Sequence, residues 1–93
     1  MEEQDIMYNK RVWLNNENSG STGSAVAFCG RYLYEDDEEE LVTSLTIGDC
    51  KGVAKLHRAY AETNEDFIEK MKNLRTTVDD FISFLTINKE KLE

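Results

Sequence analysis

The alternation of apolar and polar residues predicts three β-strands in the first half of the chain. The segments 8–15, 24–34 and 41–47 follow the two-residue period of a strand and are rich in aromatic and β-branched residues. The second segment is apolar on both faces, which is typical of a central strand, and Gly30 within it indicates a bulge. In the third, Ser44 and Thr46 alternate with Leu45 and Ile47, which predicts an edge strand with both polar residues outward.

A different period predicts helices in the second half. Thr63 or Asn64 can cap a helix over 64–88, which would be about 37 Å long at 1.5 Å per residue. Its apolar residues recur in steps of three and four, at Phe67, Met71, Leu74, Val78, Phe81 and Leu85. For 50–62, the spacing of Val53, Leu56 and Tyr60 after Asp49 as N-cap favours another helix. Gly52 weakens this interpretation, and a fourth strand over 52–57 is the alternative.

These elements predict one α+β domain over residues 1–93. We expect a three-stranded antiparallel sheet followed by one or two helices packed on one face, in the order β-β-β-α-α. The predicted division lies between a strand-rich half, 1–49, and a helical half, 50–93. A three-stranded sheet needs such a cover, because its apolar face would otherwise meet water.

Charge separates the two halves as well. The 93 residues carry a formal net charge of −8, and residues 1–50 hold eleven acids against three bases, whereas 51–93 hold eight of each. An acidic chain binds nucleic acid and anionic lipid poorly, because both contacts require Lys and Arg. We therefore expect no direct nucleic-acid contact, no membrane association and a basic protein as partner.

The sequence offers little for catalysis or metal binding. His57 is the single histidine, and with Cys29 and Cys50 it has no spacing of a zinc site. No nucleophile–base pair is visible, so we expect no enzyme activity, no catalytic residue, no metal site and no cofactor. The acidic start and the lack of any apolar run near 20 residues predict a cytoplasmic protein with reduced cysteines.

The most distinctive segment is an unbroken run of acids between the second and third predicted strands. One interpretation is a solvated loop whose charge keeps a hairpin soluble. The other is mimicry of DNA, since same-side carboxylates of an extended chain would repeat at about 6.6 Å, double the 3.4 Å axial repeat of phosphates. The predicted partner-binding face consists of Glu35, Asp36, Asp37, Glu38, Glu39 and Glu40, extended by Glu17 and Asp49. Glu2, Glu3 and Asp5 would extend it as well if the strands bring them alongside.

In size, acidity and element order, the chain resembles small phage-encoded inhibitors of bacterial defence, namely anti-CRISPR proteins and anti-restriction DNA mimics. The resemblance covers the whole chain but includes no diagnostic motif and transfers no residues. It implies a stoichiometric inhibitor that occupies the DNA-binding cleft of a host nuclease or CRISPR effector, in the cytoplasm of the bacterial host.

The helix stripe provides a second candidate surface. Packing on the sheet is the simpler interpretation, and a dimer seam at Phe81, Phe84 and Leu85 is the alternative, because Phe84 lies off the main stripe. Both hold if only the first half of the helix packs internally. The stripe 67–85 also suits a non-catalytic interaction module, such as an antitoxin, an immunity protein or an adaptor.

Overall fold

The computed structural model describes residues 3–16, 18, 20, 22–35 and 38–92. Within them the order is β1 (Glu3–Trp13), β2 (Ser24–Leu33), β3 (Glu39–Asp49), β4 (Gly52–His57) and α1 (Asn64–Ile87), followed by a 3-10 turn over Lys89–Leu92. All strand pairs are antiparallel, in the sheet order β1-β2-β3-β4. The protein is therefore α+β, with an antiparallel sheet and one C-terminal helix.

The predicted first helix over 50–62 is wrong, because this segment forms β4 and the turn before it. The Asp49 carboxylate accepts the Lys51 N–H at 2.8 Å and supports a hairpin turn instead of capping a helix. Gly52 pairs with Asp49, and Gly48 pairs with Val53. A Cβ on Gly48 would lie 2.9 Å from the Gly52 carbonyl oxygen, so the glycine permits the close approach of the two strands.

The fourth strand also corrects the prediction that β3 is an edge. β3 pairs with β2 on one side and β4 on the other, with Ser44 between Phe28 and His57. Ser44 is only 7% exposed, although its polarity predicts an outward position. A small hydroxyl fits between two strands, so polar alternation here does not mark an exposed edge.

The strand register assigns residues to two faces, since directly opposed residues point the same way. Ala27, Leu45 and Leu56 form one row of what we call the aliphatic face. Phe28, Ser44 and His57 form a row of the opposite face, here called the serine face. As predicted from the alternation, Leu41, Leu45 and Ile47 share a face opposite to Ser44 and Thr46.

The bulge expected near Gly30 is present, but the extra residue is on β1. The register passes from Ile6↔Gly30 to Tyr8↔Cys29, which leaves Met7 without an opposed residue. A Cβ on Gly30 would approach the Asp5 carbonyl oxygen and the Phe28 ring to 2.9 Å, so this position needs a glycine. β1 is an edge strand of the sheet, and a bulge bends the strand that contains it.

The helix agrees closely with its prediction. α1 begins after Thr63, whose hydroxyl accepts the Asp66 N–H at 3.1 Å, while the Asp66 carboxylate accepts the Thr63 N–H at 3.0 Å. This reciprocal capping box satisfies donors that the first turn would leave unpaired. Phe67, in the first turn, is the one buried large hydrophobic side chain of the described residues, at 8% exposure.

Two compact units make up the chain, Met1–Ala59 with the sheet and Tyr60–Glu93 with α1. Their boundary falls after β4, which completes the sheet, and the single domain over 1–93 stays a prediction. The packing of α1 on one face of the sheet stays a prediction. Among the described residues, no helix is both long enough and apolar enough to cross a bilayer.

Candidate functional site: the acidic end of the sheet

The acidic run lies at the β2–β3 connection, as the sequence predicts, but it does not form an extended ladder. The Tyr34 N–H donates to the Glu38 carbonyl oxygen at 2.9 Å, which closes a turn between the two strands. Of the acids in the run that the structure describes, Glu39 and Glu40 belong to a strand, and they project to opposite faces. The calculated repeat of about 6.6 Å along 35–40 therefore does not apply, because the chain reverses within the run.

The strand register adds an acid from β1 to this end of the sheet. Asp5 is opposed to Arg31, two residues from the end of β2, while Glu39 is opposed to Leu33. From two strand spacings of about 4.8 Å and one same-face step of about 6.6 Å, the Cα atoms of Asp5 and Glu39 are roughly 12 Å apart. We use the term acidic end for Asp5, Glu35, Glu38, Glu39 and Glu40, all exposed.

Of the other predicted site residues, only some can be placed. Asp36, Asp37 and Glu17 lie outside the described residues. Asp49 lies at the far end of β3, ten residues from Glu39 and thus roughly 33 Å away. It does not extend the acidic end, because it turns the β3–β4 hairpin at the opposite end of the sheet. Asp5 is a predicted possible extension of this face, and the antiparallel pairing of the first two strands places it at the acidic end.

Two arginines and a tyrosine accompany the carboxylates. The Tyr34 hydroxyl donates to Glu40 Oε2 at 2.6 Å, which fixes that carboxylate beside the turn. Arg58 Nη2 donates to the carbonyl oxygen of Leu41 at 3.2 Å, next to Glu40 in sequence. Arg31 is exposed opposite Asp5. The acidic end is therefore a surface of exposed carboxylates, one of them held by Tyr34, with two arginines nearby.

The candidate catalytic and metal-binding residues are not brought together. Cys29 lies on the aliphatic face, with its Sγ 3.6 Å from Thr43 Oγ1, whereas His57 lies on the serine face. Cys50 is exposed in the β3–β4 turn, and neither cysteine forms a disulfide. In the part of the chain that the structure describes, no group of three His, Cys, Asp or Glu side chains could hold a metal ion.

The predicted seam residues share one face of α1. Phe81, Phe84 and Leu85 are 61%, 53% and 39% exposed, in contrast to Phe67 at the other end of the helix. Met71 and Leu74, between these ends, are half-buried. Exposure of the stripe therefore rises toward the C-terminal half of α1.

Comparison with protein-family models, with curated proteins and with solved structures found no match. The functional argument consequently depends on the residues and the geometry described above.

Proposed function

We propose that the protein is a DNA-mimicking inhibitor that binds the basic nucleic-acid-binding cleft of a bacterial defence nuclease or CRISPR effector. The observation that carries this proposal is the convergence of carboxylates from β1, the β2–β3 turn and β3 at one end of the sheet. On this proposal the inhibitor acts by stoichiometric occupancy and has no catalytic role. The expected site of action is the cytoplasm of the bacterial host.

The distribution of the acids suits a partner cleft with several basic side chains better than a partner site with a single arginine. Carboxylates on different strands present charge over roughly 12 Å, so several Lys or Arg side chains can be engaged at once. Arg–carboxylate pairs can be bidentate in the same way as Arg–phosphate pairs. Charge complementarity of this kind accelerates encounter and makes binding sensitive to salt.

The test is capture from a bacterial lysate on the immobilised protein. We expect a basic nucleic-acid-binding protein to be retained at low salt and released by high salt or by an excess of duplex DNA. Replacing Glu38, Glu39 and Glu40 together by Gln should weaken its capture by about tenfold or more, because each exposed pair contributes a few tenths to one kcal/mol.

A matched control removes the same number of charges elsewhere. Glu69, Asp79 and Asp80 are exposed on α1, away from its apolar stripe, and their combined change to Gln, Asn and Asn should leave capture unchanged. If the two triple variants capture the same proteins as the parent chain, the mimic proposal is refuted. Equal losses in both would indicate attraction by net charge alone.

The exposure of Phe81 and Phe84 favours a second candidate, a non-catalytic interaction module that binds through the stripe 67–85. Antitoxins, immunity proteins and adaptors are examples of such modules. In the same capture assay, Phe84→Ala would then reduce retention more than the triple Gln variant does. The retained protein would also resist elution by salt, since apolar contacts are not screened.

A further inference from the structure

Within the described part of the sheet, β1 pairs with β2 alone, so one row of its backbone groups faces away from the sheet. The Leu14 N–H donates to the Gly23 carbonyl oxygen at 2.8 Å, and this pair continues the β1–β2 register. Bonded and non-bonded pairs alternate along an antiparallel ladder. The N–H and C=O groups of Trp13, Arg11 and Asn9 therefore point away from β2.

In the first half of β1, the outward residues are Gln4 and Ile6. Both are opposed to even-numbered residues of β2, and these face β3, since the even-numbered Tyr34 donates its N–H to Glu38 in the β2–β3 register. The bulge at Met7 adds one residue between the two halves. The outward residues from Gln4 to Arg11 therefore follow one another at steps of two, three and two, an order that reads the same in both directions.

We propose that two copies of this chain pair along their β1 edges, antiparallel, with Ile6 of one copy opposed to Asn9 of the other. Gln4 then meets Arg11, and a twofold axis between Met7 and Tyr8 generates the same pairs again. Each opposed pair forms two backbone hydrogen bonds, which joins the two four-stranded sheets into one of eight strands. A bulge usually protects an edge from pairing, but here both copies carry the same bulge at the axis, so their outward groups match.

The charges of β1 favour this register. Asp5 is opposed to Lys10 of the second copy, and both lie on the aliphatic face of the sheet, because both are opposed to odd-numbered residues of β2. Opposed side chains of a non-bonded pair are close, with Cα atoms about 4.5 Å apart, and opposite charges there are stabilising. Within one chain, Asp5 and Lys10 are five residues and roughly 16 Å apart, so they cannot pair with each other.

Two other antiparallel registers are less favourable. A twofold axis at Asp5 or at Lys10 would oppose two like charges. An axis at Tyr8 would oppose Asp5 to Arg11, which lies on the serine face. In the proposed register, Met7 and Tyr8 of the two copies meet at the axis, where their exposures of 56% and 53% would fall.

The first test compares a proline on each edge of the sheet by sedimentation equilibrium over a range of concentrations. Asn9→Pro removes an outward N–H from β1 but no bond to β2, so it should convert the dimer to a monomer. Val53→Pro is the matched control on β4. Val53 is opposed to Gly48, whereas the bond from Arg58 N–H to Thr43 shows that odd-numbered residues of β3 bond to β4, so the Val53 N–H also points outward. A parent chain that is monomeric at high micromolar concentration, or equal dissociation by both variants, would overturn the proposal.

A charge exchange covers the case in which Asn9→Pro unfolds the sheet. Lys10→Asp opposes two carboxylates on each side of the axis and should raise the dimer dissociation constant about tenfold or more. Adding Asp5→Lys restores opposite charges at the original net charge of −8 and should return the constant to near the parent value. A double variant as weak as Lys10→Asp would contradict the register. The Gln variant at Glu38–Glu40 should dimerise normally, which separates this proposal from the proposed inhibition.

Disulfide formation tests the register directly. In a background with Cys29 and Cys50 replaced by Ser, a mixture of the Ile6→Cys and Asn9→Cys variants should cross-link on oxidation. Opposed bonded residues have Cα atoms about 5.5 Å apart, which is within the range of a disulfide. Either variant alone should cross-link little, since the two copies of Ile6 would be roughly 11 Å apart. Equal yields in the mixture and in the separate variants would overturn the proposed pairing.

Discussion

Replacing Gly48 by Ala should destabilise the sheet, whereas the same change at Gly52 should not. A Cβ on Gly48 would lie 2.8 Å from Val53 Cγ2 and 2.9 Å from the Gly52 carbonyl oxygen. The second contact is with backbone of the paired strand, so β3 and β4 would have to separate. Overpacking of this kind costs about 1–3 kcal/mol.

Gly52 is the matched control in the same hairpin. A Cβ there meets no atom within 4 Å. At such an unstrained position, Gly→Ala stabilises the folded protein by about 0.4–1 kcal/mol, because alanine lowers the conformational entropy of the unfolded chain. The two variants should therefore differ by roughly 2–3 kcal/mol, or by about 10 °C or more in Tm for a chain of this length.

Trp13, the single tryptophan, lies in β1 and reports on the sheet. Its fluorescence during urea unfolding, together with calorimetry, would give both free energies. A helix over 50–62 would change the expectation at Gly48 alone, because Gly48→Ala would then be nearly neutral, whereas Gly52→Ala would stabilise in either structure, by about 1 kcal/mol in the helix. A Gly48→Ala variant as stable as the parent chain would therefore refute the close approach of β3 and β4.

Two further predictions concern the capping box of α1. Thr63→Ala should cost about 1 kcal/mol of helix stability, whereas Thr76→Ala, at an exposed mid-helix position, should be neutral or slightly stabilising; thermal unfolding by circular dichroism would compare them. The Thr63 backbone N–H, and then the Thr63 side chain, hold the pKa of Asp66 below 3.8. Its stabilising effect is therefore complete above the unfolded pKa, near 4, and is lost as the pH falls through the lower folded value. Asp66→Asn should reduce this dependence in acid titrations of helicity, and an unchanged slope would contradict it.

The sequence predicted α1 well because several local signals agree there. The Thr63 cap, the acids of the first turn and the three-four spacing all indicate one helix, and none depends on distant residues. The segment after Asp49 carried conflicting signals. Val53, Leu56 and Tyr60 fit a helix, but Val53 and Leu56 fit alternating faces of a strand equally well. Hairpin pairing with β3 decided the outcome, and pairing is not a local property.

The acidic site was predicted in position but not in shape. Consecutive acids mark a surface segment in any fold, so their location between two strands could be inferred. Their geometry depends on the bond from Tyr34 N–H to Glu38, which turns the chain inside the run. Asp5 and Asp49 depend on register as well, because β1 begins beside the end of β2, whereas β3 ends at the opposite end of the sheet.

The acidic end has two interpretations, a charge that keeps the hairpin soluble and a surface that binds a basic cleft. They differ in whether the position of the carboxylates in the sheet matters. If its charge serves only to keep a hairpin soluble, any equal loss of charge should reduce solubility, whether it is made at Glu38–Glu40 or on the outer side of α1. If the carboxylates engage a basic cleft, position matters, because Asp5 and the β2–β3 turn lie at the same end of the sheet. The contrast between the two triple variants thus tests an arrangement in space, since their net charges are identical. Measuring solubility alongside capture keeps the two effects distinct, because screening by salt weakens binding to the cleft but does not restore a lost solubilising charge.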